Sequence, residues 1–131
     1  MIDENIRFLE EYKELDKLIQ DALNSEKGVS EYIERLTGHY EFSDEYHLLK
    51  RLRKIRNDLA HEPNTMNSDY ATEDDIDDVK EFYNRIIDRK DPISLLIRKN
   101  SKRSKTKDKP SSILIVAIVI VLIYILMMLF M

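Results

Sequence analysis

The stretch ILIVAIVIVLIYILMMLFM at residues 113–131 constrains the chain more than any other feature, because nineteen consecutive residues carry no charge, glycine or proline. At about 1.5 Å per residue a helix of that length covers roughly 28 Å, close to the hydrocarbon thickness of a bilayer. A helix packed into a small soluble core would keep a polar stripe, and this run offers only Tyr124. It therefore predicts one membrane-spanning helix. Residues 98–112 just before it form a basic linker, and the positive-inside bias predicts a C-terminal tail anchor with the preceding domain in the cytoplasm. Lys99, Lys102, Arg103, Lys105, Lys107 and Lys109 are the side chains expected at the membrane surface, on a solvated tether drawn to anionic headgroups. Ala117 is the one small residue of the span, so a glycine-type helix pairing motif is absent and any dimer contact is expected in the soluble part.

Residues 1–97 have room for one small domain. Charged residues make up 35% of the chain and glycine only two positions, which suits amphipathic helices and argues against turn-rich β folds and glycine-rich phosphate loops. The absence of cysteine removes disulfides, thiolate metal sites and cysteine nucleophiles. The histidines at 39, 47 and 61 lack metal-ligand spacing, so no metal or other cofactor is expected. The net charge of −4 conceals a division, with seven basic residues and one acidic residue at 98–109 against 14 basic and 24 acidic groups in residues 1–97. Tight binding of nucleic acid needs clustered cations, so an RNA contact on so acidic a domain must be local.

Periodicity predicts an all-α fold, an up-and-down bundle of four or five helices. Ile6, Leu9, Leu15, Leu18, Ile19 and Ala22 recur at helical spacing from Ile2 to about Asn24, and Gly28 interrupts. A short helix VSEYIERL ends at Gly38. Ser43 is a plausible N-cap for a third helix running from about Asp44 to Ala60, which Pro63 stops. NTMNSDYA reads as a loop, Thr72 and Asp75 as a capping box, and Ile76, Val79, Phe82, Tyr83, Ile86 and Ile87 as the apolar side of a fourth helix. ISLLI at 93–97 either completes the core or begins the connector.

On the third helix, Leu48, Leu52, Ile55 and Leu59 are expected to face the core, and Lys50, Lys54, Asn57 and His61 to lie opposite, with Arg53 nearby. Lys50, Arg53 and Lys54 form a local cation patch suited to a phosphate backbone. Arg56 projects at the edge of the apolar side, roughly 140° from His61. The guanidinium must reach solvent or an anionic partner. His39 and His47 have no assigned role, and tyrosines 12, 32, 40, 46, 70 and 83 are expected mainly in the core or an interface.

The helix ending IRNDLAH, with four residues between Arg56 and His61 and Asn57 after the arginine, resembles the Arg-x(4 to 6)-His motif of HEPN-domain proteins. The resemblance implies a helical domain that dimerises so that Arg and His of both chains line one cleft, and in many members a metal-independent ribonuclease of toxin or antivirus systems. Cleaving RNA without metal requires a group that takes the 2′-OH proton and a cation for the developing phosphoryl charge. An imidazole with its ordinary pKa near 6.5 suits His61 to either proton role, Arg56 suits the phosphate, and Asn57 suits orienting one or the other. The product is then a 2′,3′-cyclic phosphate. Simpler roles stand beside these: His61 at the negative end of the helix dipole, Arg56 paired with a carboxylate, Asn57 a surface amide, and Asp58 or Glu62 bridging to the motif. The leading expectation is a membrane-tethered endoribonuclease acting on RNA, with an antitoxin or another protein as partner. The alternatives are a non-catalytic dimerisation module of the same kind that holds a partner at the membrane, and an unrelated helical adaptor.

Overall fold

Asn5, Phe8, Tyr12, Leu15 and Ile19 are spaced alternately by three and four residues, which on a helix sets them in one line. All five are buried. They form the inner face of α1 (Ile2–Leu23), the first of five helices in a computed structural model, followed by α2 (Val29–Leu36), α3 (Ser43–His61), α4 (Glu73–Ile87) and α5 (Pro92–Leu129). The structure describes residues 2–62, 64–68 and 70–130, and the side chains of 4–62, 64–68, 70–104 and 115–130. No strand occurs among the described residues, and short 3-10 turns at Tyr40–Phe42 and Thr65–Asn67 flank α3.

Residues 1–95 form one unit, a helical bundle in which α1 packs most broadly on α4 and also meets α2 and α3. The buried face of α1 is rotated from the expected one: Phe8 and Tyr12 are in the core, while Ile6 and Ala22 are exposed. Isoleucine and alanine marked the wrong line because one member of the true line is an amide. On α3, Leu49 joins Leu52 and Leu59 in the core, and Leu48 and Ile55 sit half-buried at its margin. Ile93 closes the bundle from α5, where Leu95 is exposed.

The helix starts obey different rules. Thr72 and Asp75 form the expected capping box, the Thr72 hydroxyl accepting from the Asp75 N–H at 3.2 Å and the Asp75 carboxylate accepting from the Thr72 N–H at 3.0 Å. Burial pushes the Asp75 carboxyl up, but the bonds from Thr72 and Arg51 outweigh it and hold the group below the usual carboxylate range. Ser43, expected as an N-cap, is instead the first residue of α3, and Phe42 precedes it without any side-chain cap. The 3-10 turn feeds directly into the helix and leaves no room for an extended capping residue. Pro63, expected to stop α3, lies outside the described residues.

At α2 the cap comes from another helix. Asp16 on α1 accepts the Val29 N–H at 2.8 Å, and Gly28 stands against that carboxylate with φ of 56°. A Cβ at Gly28 would lie 2.1 Å from the Asp16 oxygen. Gly28→Ala is therefore expected to cost about 2–3 kcal/mol, from the strained backbone and the displaced cap together. Urea unfolding followed by circular dichroism measures it, and a loss below about 0.5 kcal/mol would mean that Asp16 contributes no cap.

Asp91, also buried, anchors the start of α5 to α2. It accepts the Tyr32 hydroxyl at 2.5 Å and the Ser94 N–H at 3.4 Å, and the Tyr32 oxygen accepts the Ile93 N–H at 3.1 Å. Burial, then the bond to Asp91, push the Tyr32 hydroxyl far above its ordinary range.

Residues 96–131 form the second unit. The backbone of the basic segment, expected as a solvated tether, is helical and lies within α5. Lys99, Lys102 and Arg103 are exposed, while Lys105, Lys107 and Lys109 lie outside the described side chains. Among the described residues no helix is long and apolar enough to cross a membrane. The described side chains of the apolar run cover 115–130, and all of them are exposed.

Candidate functional site at the end of α3

The last two turns of α3 carry Arg56, Asn57 and His61, all exposed. Among the described residues Arg56 pairs with no carboxylate, and its Nη1 donates to the Asn57 Oδ1 at 3.1 Å. It also stands near α1, where burial and Asp16 push the Tyr12 hydroxyl up and the charges of Arg56 and Arg53 oppose them. His61 makes no side-chain hydrogen bond or ion pair among the described residues. Arg56 and Asn57 are thus brought together by their own adjacency, while His61 points around the helix from Arg56, as the 100° step requires.

Asp58, the acidic residue within the motif, bonds to neither Arg56 nor His61. Its carboxylate accepts the Lys54 ammonium at 2.7 Å, one helical turn back, and also accepts the Tyr70 hydroxyl. These two bonds hold the Asp58 carboxyl below the usual carboxylate range, and the Tyr70 hydroxyl is raised by the same contact. Because the folded-state value is depressed, the stabilisation is complete above the unfolded value near 3.9 and is lost as pH falls through the lower folded value. Tyr70→Phe is expected to move the Asp58 carboxyl upward in an NMR titration; an unchanged midpoint would show that Lys54 alone sets it.

The segment after the motif is tied down from both sides. The Thr65 hydroxyl lies 3.0 Å from the Asp58 carbonyl and 2.7 Å from the Glu62 carbonyl, two acceptors at the helix end that also take the N–H groups of Glu62 and Thr65. From α1, the Asn5 amide donates to the carbonyls of Thr65 at 3.1 Å and Ser68 at 2.6 Å, with Met66 at 3.4 Å, and its oxygen accepts the Ala71 N–H at 2.8 Å. A buried asparagine therefore sets the loop that follows His61. Composition gave no hint of this; the signal was an amide in register with Phe8, Tyr12, Leu15 and Ile19.

The expected cation patch is divided. Lys54 is committed to Asp58, and Arg53 is half-buried and donates to the Ser30 hydroxyl on α2 at 3.3 Å. Lys50 is exposed, its ammonium 5.3 Å from the centre of the Tyr46 ring. Among the described residues no group of His, Asp or Glu side chains is arranged to hold a metal ion.

Tyrosines 12 and 32 lie in the core as expected, and 46, 70 and 83 are half-buried, but Tyr40 is 90% exposed. It sits at the opposite end of α3 beside a hollow of about 300 Å³ lined by His39, Ser43, Tyr46 and His47 among others.

No curated protein and no solved structure matches the chain. Residues 6–113 match the model of DUF6548, a family of unknown function, and the chain belongs to that family.

Proposed function

We propose that this protein is a membrane-tethered, metal-independent endoribonuclease of HEPN type, with Arg56, Asn57 and His61 as its catalytic residues. The observation that carries the reading is the state of the motif: His61 is exposed with no partner among the described residues, and the adjacent carboxylate of Asp58 is held away from it by Lys54 and Tyr70. An imidazole free of a structural bond is available for proton transfer to or from a ribose oxygen. Among the described residues Arg56 donates to a neutral amide, so its guanidinium is able to engage a phosphate. The two side chains diverge around α3, so a substrate phosphate meets both most readily in a cleft where Arg56 of one copy faces His61 of another. That makes a homodimer through the soluble domain part of the proposal.

The uncharged run at 113–131 supports the tether, since exposed apolar side chains at every described position from 115 to 130 need a nonaqueous environment or a partner. The basic residues before it then lie at the cytoplasmic membrane surface. A toxin or antivirus role, regulated by a protein partner, fits such an activity.

The bond between Arg56 and Asn57 also favours a second reading, a non-catalytic dimerisation module that holds a partner at the membrane, because it occupies both side chains with each other. Full-length protein in neutral detergent, incubated with total RNA in excess EDTA, separates the two. Cleavage leaving 2′,3′-cyclic phosphate ends supports the nuclease. Intact RNA with a protein that is folded and dimeric supports the module.

A further inference from the structure

Ser43, His47, Lys50, Lys54, Asn57 and His61 follow one another at steps of four and three residues, so they form a single stripe along α3. All six are exposed. From His47 to His61 the stripe covers about 21 Å at the helical rise. It carries Lys50 and Lys54 and no acidic side chain, on a domain that is otherwise acidic. At its far end lies the hollow of about 300 Å³, with the Tyr46 and His47 rings edge to face at 5.4 Å and Tyr40 at its rim. A tyrosine 90% exposed contributes little to the core, and the Lys50 ammonium over the Tyr46 ring sets a cation next to an aromatic face. Exposed rings beside a line of cations are the two elements by which single-stranded nucleic acid is held: bases stack and phosphates track the charge.

We propose that the hollow at Tyr40, Tyr46 and His47 is a base-stacking subsite for single-stranded RNA, whose backbone runs along Lys50 and Lys54 toward His61. The direction of the strand rests on the nuclease reading; the subsite itself does not. It is remote from the motif, so its side chains hold the substrate and take no part in bond cleavage. Lys50 meets a phosphate directly, and Lys54, already paired with Asp58, contributes a weaker attraction. Glu41, 3.6 Å from the His39 imidazole, and Asp44 at the start of α3 flank the hollow and bias it against duplex, whose two backbones would bring more phosphate near these carboxylates.

The test measures binding of a labelled oligouridylate, of about ten nucleotides, to the full chain in neutral detergent, with His61→Ala present throughout to prevent cleavage. Tyr40→Ala is expected to weaken binding about five- to a hundredfold, Tyr40→Phe to leave it nearly unchanged, and Lys50→Glu to weaken it and flatten its salt dependence. Inorganic polyphosphate, which offers charge without bases, should lose affinity with Lys50→Glu but not with Tyr40→Ala. Because Tyr40 is exposed, its variants leave the fold intact. Equal oligouridylate affinity for wild type and Tyr40→Ala overturns the proposal, as does an equal loss for polyphosphate or no binding by either. Binding without cleavage by the unmutated motif keeps the subsite and removes the nuclease reading; cleavage unaffected by Tyr40→Ala and Lys50→Glu does the reverse.

Discussion

Asn5→Leu is expected to destabilise the helical bundle of residues 1–95 by about 2–4 kcal/mol. Leucine matches asparagine in the number and branching of its side-chain heavy atoms and is no smaller, so the loss does not come from a cavity. It comes chiefly from the Ala71 N–H, which an apolar replacement leaves without its acceptor, and in smaller part from the lost bonds to the Thr65 and Ser68 carbonyls, which keep the Ser68 and Tyr70 N–H groups as donors. Each buried orphan costs about 1–3 kcal/mol when no water replaces the lost partner. Asn5→Asp separates this account from a packing effect. It preserves an acceptor for Ala71 but turns a carboxylate oxygen toward three carbonyls, so it should be at least as damaging at neutral pH and should partly recover as acid protonates the carboxyl. Urea unfolding of the full chain, read by circular dichroism, gives both numbers. A loss below about 1 kcal/mol for Asn5→Leu would mean that the loop rearranges and the Ala71 N–H finds another acceptor.

The same residue marks where sequence reasoning succeeded and where it stopped. Helix existence and type were legible because local signals agreed: α2 is bounded by two glycines, and the capping box at Thr72 fixes the start of α4. The inner face of α1 was not, because a hydrophobic tally passes over an amide, and the partners of Asn5, sixty or more residues away, explain its burial. Ser43 failed as a cap for a related reason: a preceding 3-10 turn, invisible to a pattern based on period, already supplied the helical entry. At the motif, the sequence presented Arg56, Asn57 and His61 together, but the partners of Asp58 could not be read from it. Lys54 was in helical register for that pairing, whereas Tyr70 lies across the loop that Asn5 holds. Exposure of Tyr40 was equally hidden, since an aromatic residue beside a turn reads the same whether it closes a core or stands in solvent.

If the nuclease reading is right, His61→Gln should lower RNA cleavage about a hundredfold or more, the usual contribution of a group that moves a proton in the transition state. Glutamine keeps hydrogen-bonding capacity and similar size but cannot shuttle a proton, and at an exposed position it leaves stability nearly unchanged. Arg56→Lys should lose less than Arg56→Ala, because it keeps the charge and gives up the two-pronged grip on phosphate. The divergence of Arg56 and His61 around α3 then allows a sharper test than either variant alone. In a cleft built by two copies, a chain lacking Arg56 still supplies His61, and a chain lacking His61 still supplies Arg56. Mixing inactive Arg56→Ala and His61→Gln proteins, and allowing subunits to exchange, should therefore restore part of the cleavage. A site built within one chain cannot recover this way, since every copy in the mixture carries a defect. Full loss in each variant with no recovery on mixing would place both residues in one chain's site and remove the shared cleft, while wild-type rates in both variants would leave the end of α3 as a helix terminus with no catalytic part.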